Sequence, residues 1–219
     1  MFELRDIKPA AHGKSRLVFA HPTDRNLVIK VMKPEHFEHQ KTTWTNWKRP
    51  AHSFQLFARE IQEQLTLLGK GEKIDEYLAR IHGFCETDFG LGILVQAMRR
   101  PSGKLALTLG DLIRMGKFTP KVGNDLDRFC NQLLASEINF GELMLRNILY
   151  AVDGSGERKF VLVDGYGSST WFSFKKAFPR LDRRLLRSHR LKRFRKGVDL
   201  RVKAYEQKAG RKPSPLIGS

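Results

Sequence analysis

Asn147-Ile148-Leu149-Tyr150-Ala151-Val152-Asp153-Gly154-Ser155-Gly156-Glu157-Arg158-Lys159-Phe160-Val161-Leu162-Val163-Asp164-Gly165 is the stretch that organises the rest of the chain. Two short apolar runs, 147–150 and 160–163, flank Asp153-Gly154-Ser155-Gly156. Glycine next to Asp or Ser between two such runs is the chemistry of a tight hairpin turn. A hairpin built this way brings its outer ends together. Asn147 opens one strand and Asp164 closes the other, so both side chains are expected at the same end. An amide oxygen and a carboxylate placed side by side are hard donors, suited to Mg²⁺. Alone, each has an ordinary reading: Asn147 as a strand-entry residue and Asp164-Gly165 as a turn.

Upstream, Arg16–Ala20 and Asn26–Met32 are β-rich runs joined by turn residues His21-Pro22-Thr23-Asp24. Lys30 lies inside the second run among apolar neighbours, where an ammonium needs an anionic partner or an edge. Phe54–Leu68 has Phe54, Phe57, Ile61, Leu65 and Leu68 at spacings of three and four, which predicts a helix with Ser53 as its cap. Glu60 lies beside that stripe and on its own reads as a solvated residue. Ile81–Cys85 and Gly92–Met98 are predicted strands. Arg99–Gly103 is a polar break, taken as the boundary between two lobes. Leu107–Met115 reads as a short helix. A longer one is predicted over 121–138, with Thr119 as cap and Pro120 at its first position. A last helix is predicted over 181–207. Residues 208–219 are expected to be disordered, so the divisions are 1–98, 99–207 and 208–219.

The order of Lys30, Glu60, Asn147 and Asp164 matters more than any one of them. Phosphoryl transfer uses a lysine on the nucleotide phosphates, a carboxylate to fix that lysine, and paired oxygen ligands for Mg²⁺. The series resembles the protein-kinase signature set. Val28-Ile29-Lys30 matches its strand lysine and Arg59-Glu60 its helix glutamate. Phe140-Gly141-Glu142-Leu143-Met144-Leu145-Arg146-Asn147 matches its catalytic loop, with four residues between Glu142 and Asn147. Asp164-Gly165 matches its metal-binding Asp. The resemblance implies an α+β, two-lobed protein kinase-like fold with a reduced C-terminal lobe. It implies ATP and Mg²⁺ as cofactors, with Lys30 and Glu142 catalytic and Asn147 and Asp164 on the metal. Glu60, Gly13 and Ser15 would serve the nucleotide, and Gln96 to Met98 would receive the adenine through backbone hydrogen bonds.

Further motifs narrow the resemblance. Gly13-Lys14-Ser15-Arg16, Phe19-Ala20-His21-Pro22, Glu86-Thr87-Asp88-Phe89-Gly90-Leu91-Gly92, Leu107-Thr108-Leu109, Arg146-Asn147-Ile148 and Val163-Asp164-Gly165 are similar to the YrbL-like family, the PhoP regulatory network proteins of Gram-negative bacteria. That likeness implies a cytoplasmic role in envelope or PhoP-type regulation, with the inner membrane as a peripheral site. The chain departs from the kinase pattern in three places. Glu142 stands where Asp is usual and Phe140 where His is usual. Gly13 is a single glycine, not a G-x-G-x-x-G run. Only 55 residues follow Asp164, so the lower lobe is expected to be short. A pseudokinase-like regulator is therefore the second reading of the same residues.

Charge supplies the third reading. The net charge is +17, and residues 168–219 hold 16 Lys and Arg against three acids, a net of +13. A basic C-terminal helix reads as a solvated charged face or as the place where an anionic partner acts, nucleic acid or an anionic membrane surface, the former with a scaffold-like body behind it. The phosphate acceptor is not legible. His36 and His39 lack a third ligand and read as a solvated turn. Cys85 and Cys130 read as buried free thiols. No apolar run approaches the roughly 20 residues that span a bilayer.

Overall fold

The computed structural model describes residues 1–35, 54–141, 143–167 and 180–210, with side chains from residue 185 onward in the last helix. The chain is α+β, as read from the sequence, with antiparallel sheets and helices. It divides into two compact units. One holds residues 1–98 with Tyr166 and Gly167; the other holds residues 99–165 with the helix over 180–210. Ser53, His36, His39, Trp44, Trp47, the aromatic run 171–178 and Glu142 lie outside the described residues.

The first unit is a five-stranded sheet with one helix. Its strands are β1 (Ala11–His12), β2 (Arg16–Ala20), β3 (Leu27–Met32), β4 (Ile81–Thr87) and β5 (Gly90–Gln96), ordered β1-β2-β3-β5-β4. Register sets the faces: Val18 opposes Lys30, and Lys30 opposes Ile93. Strand alternation then puts Arg16, Val28 and Lys30 on one face and Phe19, Ile29 and Val31 on the other. The second face packs with Leu4, Phe2, Leu17, Phe89 and Leu94 into an apolar cluster.

Leu4 belongs to an N-terminal segment that no pattern in the sequence marks. Phe2 bridges to Thr87, and Asp88 holds the segment: its two oxygens accept the N–H groups of Leu4 and Arg5, each at 2.9 Å. Partial desolvation in the turn raises the Asp88 pKa. The two N–H groups and the Arg5 charge outweigh it, and the net shift is downward. A carboxyl with a lowered folded pKa stabilises above its unfolded value of about 3.9, and this is lost as pH falls through the folded value. Wild type should therefore melt above Asp88→Asn at pH 7, with the gap closing below about pH 4. Thermal melts of both proteins across this range measure it; a constant gap would mean Asp88 does not hold the segment as a carboxylate.

Helix α1 (Gln55–Gly69) corrects the predicted stripe. Its buried residues are Phe57, Glu60, Gln64 and Leu67, whereas Leu65 is 64% exposed and Leu68 41%. Two polar residues face inward because each is satisfied there. Gln64 donates to the Ala79 carbonyl (2.8 Å) and the Tyr166 hydroxyl (2.7 Å) and accepts the Ile81 N–H (3.0 Å). A satisfied amide of this kind fastens a helix as firmly as an apolar contact.

The second unit has a three-stranded sheet, β6 (Leu107–Thr108), β7 (Ile148–Val152) and β8 (Arg158–Leu162), in the order β6-β7-β8. The predicted helix over 107–115 thus begins as a strand: Leu107 pairs with Tyr150 and Thr108 with Leu149. Thr108 then caps α2 (Leu109–Arg114) in a capping box with Asp111. Helix α3 (Pro120–Ala135) starts at Pro120 with Thr119 as its cap and buries Val122, Leu126, Phe129 and Leu133. It packs on β8, and Phe160 meets both Phe129 and Tyr150. Helix α4 (Arg180–Gly210) runs three residues past its predicted end. It docks on α2 and α3 through Leu191 and Val198. Arg187 stacks over Phe140, and Arg195 pairs with Asp127.

The thiols are free but only half-buried, not the fully buried pair expected. Burial first, then the Asp127 charge, pushes Cys130 up to about 12, so it stays protonated at neutral pH. Among the described residues no helix is long and apolar enough to cross a membrane.

Candidate functional site

Lys30 and Glu60 are both buried in the first unit, at 5% and 2% exposure. The surprise is Arg16, 6% exposed, which the sequence placed only at the start of a strand. Its guanidinium grips Glu60 with two parallel bonds of 3.0 Å and lies over the Phe57 ring. Both oxygens of the carboxylate expected to orient Lys30 thus accept from a different cation. The fork of a guanidinium matches a carboxylate edge to edge, which an ammonium cannot do. Arg16 shares the sheet face of Lys30, so two cations and one carboxylate lie on the helix-covered side. The β-pattern of residues 16–20 signalled a strand starting at Arg16, and a charged strand residue beside Lys30 was the clue available.

The nucleotide positions at the turn and at the end of β5 are only partly open. The Gly13 N–H donates to the Arg16 carbonyl (2.8 Å), closing the turn between β1 and β2. That bond uses the one N–H Gly13 has. The Ser15 carbonyl accepts from Lys33 at 3.0 Å. The Gln96 N–H donates to the Arg80 carbonyl (2.8 Å) and the Ala97 N–H to the Asn26 carbonyl (2.7 Å). Met98 follows the strand and is 7% exposed.

In the second unit, Asn147 and Asp164 come together. Ile148 pairs with Leu162, and the Val163 N–H donates to the Asn147 carbonyl at 2.9 Å. Asn147 ends a single 3₁₀ turn, Leu145–Asn147, and Asp164 follows one residue after Val163. Gly165 has φ +82°, and a Cβ there would come 3.0 Å from the Asn147 amide nitrogen. Only glycine adopts that conformation freely and lets Asn147 lie so close. Two residues on, Gly167 has φ +91° and sits against the Arg59 carbonyl of α1. Asn147 and Asp164 supply hard oxygen donors in the number Mg²⁺ takes from protein, one or two. Among the described residues no three His, Cys, Asp or Glu side chains gather, so a zinc-type centre has no counterpart here.

The chain is similar at low identity to solved protein-kinase structures. Rad53 1-466 in complex with AMP-PNP matches at 13% identity and TM-score 0.44, over 73% of this chain and 37% of that one. The PknI kinase domain of Mycobacterium tuberculosis matches as a C20A_R136A double mutant at 12% identity and TM-score 0.41, over 74% and 59%. The chain thus spans less than two thirds of either. No curated protein matches it. The family model described as PhoP regulatory network protein YrbL matches residues 2–198, a span that includes every site residue named above, and the chain belongs to that family.

Proposed function

We propose that this chain is a kinase-like protein that binds ATP with Mg²⁺ and transfers the γ-phosphoryl group to a hydroxyl acceptor. The observation that carries the reading is the β7–β8 ladder, which sets Asn147 and Asp164 at one end of a hairpin. Asn147 and Asp164 would hold the metal, and Lys30 would hold phosphate oxygens. Mg²⁺ supplies charge neutralisation on the phosphates when bound. In the transfer, the acceptor oxygen bonds the γ-phosphorus. The bond from that phosphorus to the β–γ bridging oxygen breaks and ADP leaves. The carboxylate of Glu142, four residues before the Arg146-Asn147 pair, takes the acceptor's proton.

A regulator that binds nucleotide without turnover is the second reading. It is favoured by the Gly13 N–H, which is committed to its own turn, and by Glu142 in place of Asp. One experiment tests the first reading and another separates the two. ATP with MgCl₂ should raise the melting temperature, by mass action on the folded state. Lys30→Ala and Asp164→Ala should each abolish the rise. No rise in the parent protein ends the nucleotide reading. Glu142→Gln should keep the rise and cut γ-³²P transfer about 10²-fold or more; a parent that binds but transfers nothing is the regulator.

A further inference from the structure

The second unit holds a cavity of about 1120 Å³ between α2, Gly141 with Leu143 to Arg146, and α4. Its walls carry Arg114, Arg146, Arg190, Arg193, Arg201 and Lys208, and no described lining residue is acidic. The floor is apolar, from Ile113, Leu145, Phe194 and Tyr205. The segment that forms one wall, Leu143 to Arg146, leads directly into Asn147.

Two features distinguish this groove from a merely basic helix face. The first is which cations are held by the protein. Arg190 donates to the Phe140 carbonyl at 3.0 Å and Arg114 pairs with Asp111, which fixes them in place. Among the described residues Arg146, Arg193 and Lys208 make no hydrogen bond or ion pair, and Arg146 and Arg193 are exposed. The second is Gly197. It lies deep inside a 31-residue helix, where only proline is a poorer helix former than glycine. A Cβ there would meet only the Arg201 side chain, at an ordinary 3.5 Å, so no neighbour demands glycine. What its missing side chain provides is groove space, since Gly197 lines the cavity, as do Gly110 and Gly141.

We infer that this groove is a binding site for a small molecule bearing two or more phosphate groups. Guanidinium groups pair with phosphate oxygens by the same planar fork they use on carboxylates. The volume is at the upper end of small-molecule sites and suits a phosphorylated sugar or head group with an apolar portion on the floor. A concave site walled by cations also differs from what duplex nucleic acid asks of a protein, which is an element or ridge that enters a groove. As a polyphosphate site the groove stands on its own residues. As the site of the phosphate acceptor, beside the loop that carries Glu142 and Asn147, it rests on the function proposed above.

Calorimetric titration with sodium tripolyphosphate, in EDTA and about 150 mM salt, tests it; there the Debye length is about 8 Å and diffuse attraction is screened. The parent should bind. The double reversal Arg146→Glu, Arg193→Glu should weaken binding about tenfold or more. So should Gly197→Leu, which fills the groove with a better helix former and keeps the charge. The double reversal Lys192→Glu, Lys196→Glu changes net charge equally outside the groove and should leave binding within about twofold. Lys30→Ala should bind tripolyphosphate normally while losing the ATP–Mg²⁺ response, which separates failure of this site from failure of the nucleotide reading. Vesicles of phosphatidylcholine with and without cardiolipin, whose head group bears two phosphates, identify the source. Retention that needs Arg146 and Arg193 assigns a lipid head group; tripolyphosphate binding without retention assigns a free phosphate ester. No binding of either probe overturns the inference, as does equal weakening by the two double reversals.

Discussion

Glu60→Ala is expected to lower the unfolding free energy by about 3–5 kcal/mol, a large share of what a domain of this kind has. The carboxylate is 2% exposed and takes both arms of the Arg16 guanidinium, itself 6% exposed. Removing it leaves that guanidinium under α1, on the sheet face that also carries Lys30. The cost is therefore mainly that of a buried guanidinium deprived of the carboxylate that took both of its arms, not of a lost attraction. This makes a second outcome testable. Replacing the pair by apolar residues, as in Arg16→Met with Glu60→Leu, should recover most of the loss, because the desolvation penalty of both ions disappears with them. Urea denaturation of the single and double variants gives the comparison. A single-variant cost under about 1 kcal/mol would show that the pair is hydrated in solution, as surface pairs are.

Gly167→Ala is the other large effect, with an expected cost of about 3 kcal/mol or more. Its backbone sits at φ +91°, and the new Cβ would lie 2.6 Å from the Arg59 carbonyl oxygen and 2.9 Å from its carbon. The conformation alone costs about 1–3 kcal/mol for a residue with a side chain. The overlap is with helix backbone, which cannot swing aside as a side-chain tip can. Gly154→Ala is the control: it lies in the open hairpin turn with nothing within 4 Å, and should stay within about 0.5 kcal/mol of wild type. Equal urea midpoints for the two variants would mean that residue 167 does not press on α1.

The hairpin was legible because its information is local. Asp153-Gly154-Ser155-Gly156 fixes the turn, the turn fixes the register, and the register puts Asn147 beside Val163 and Asp164. The cap of α3 was similarly readable, since Thr119 acts on a backbone group three residues away, whereas Thr108, which caps α2, had been read as lying inside that helix. Where the reading of a helix went astray, on α1, the error lay in the criterion. Apolar spacing selected Ile61, Leu65 and Leu68, but the helix buries Glu60 and Gln64 because partners elsewhere satisfy them. No periodicity signals that. The YrbL-type motif around Asp88 was visible as a motif, but its work of holding Leu4 and Arg5 across more than eighty residues was not.

By itself, then, the sequence determined the α+β class, the hairpin with its paired oxygen donors, and the concentration of positive charge toward the C-terminus. Each depends on neighbours a few residues apart or on composition. The tertiary structure alone decided that Arg16 grips Glu60, that Glu60 and Gln64 join the buried face of α1, and that α4 turns Arg190, Arg193, Arg201 and Gly197 toward the groove before Asn147. These are outcomes of burial, in which a charged or amide group goes inside only where a distant part of the chain meets its hydrogen bonds.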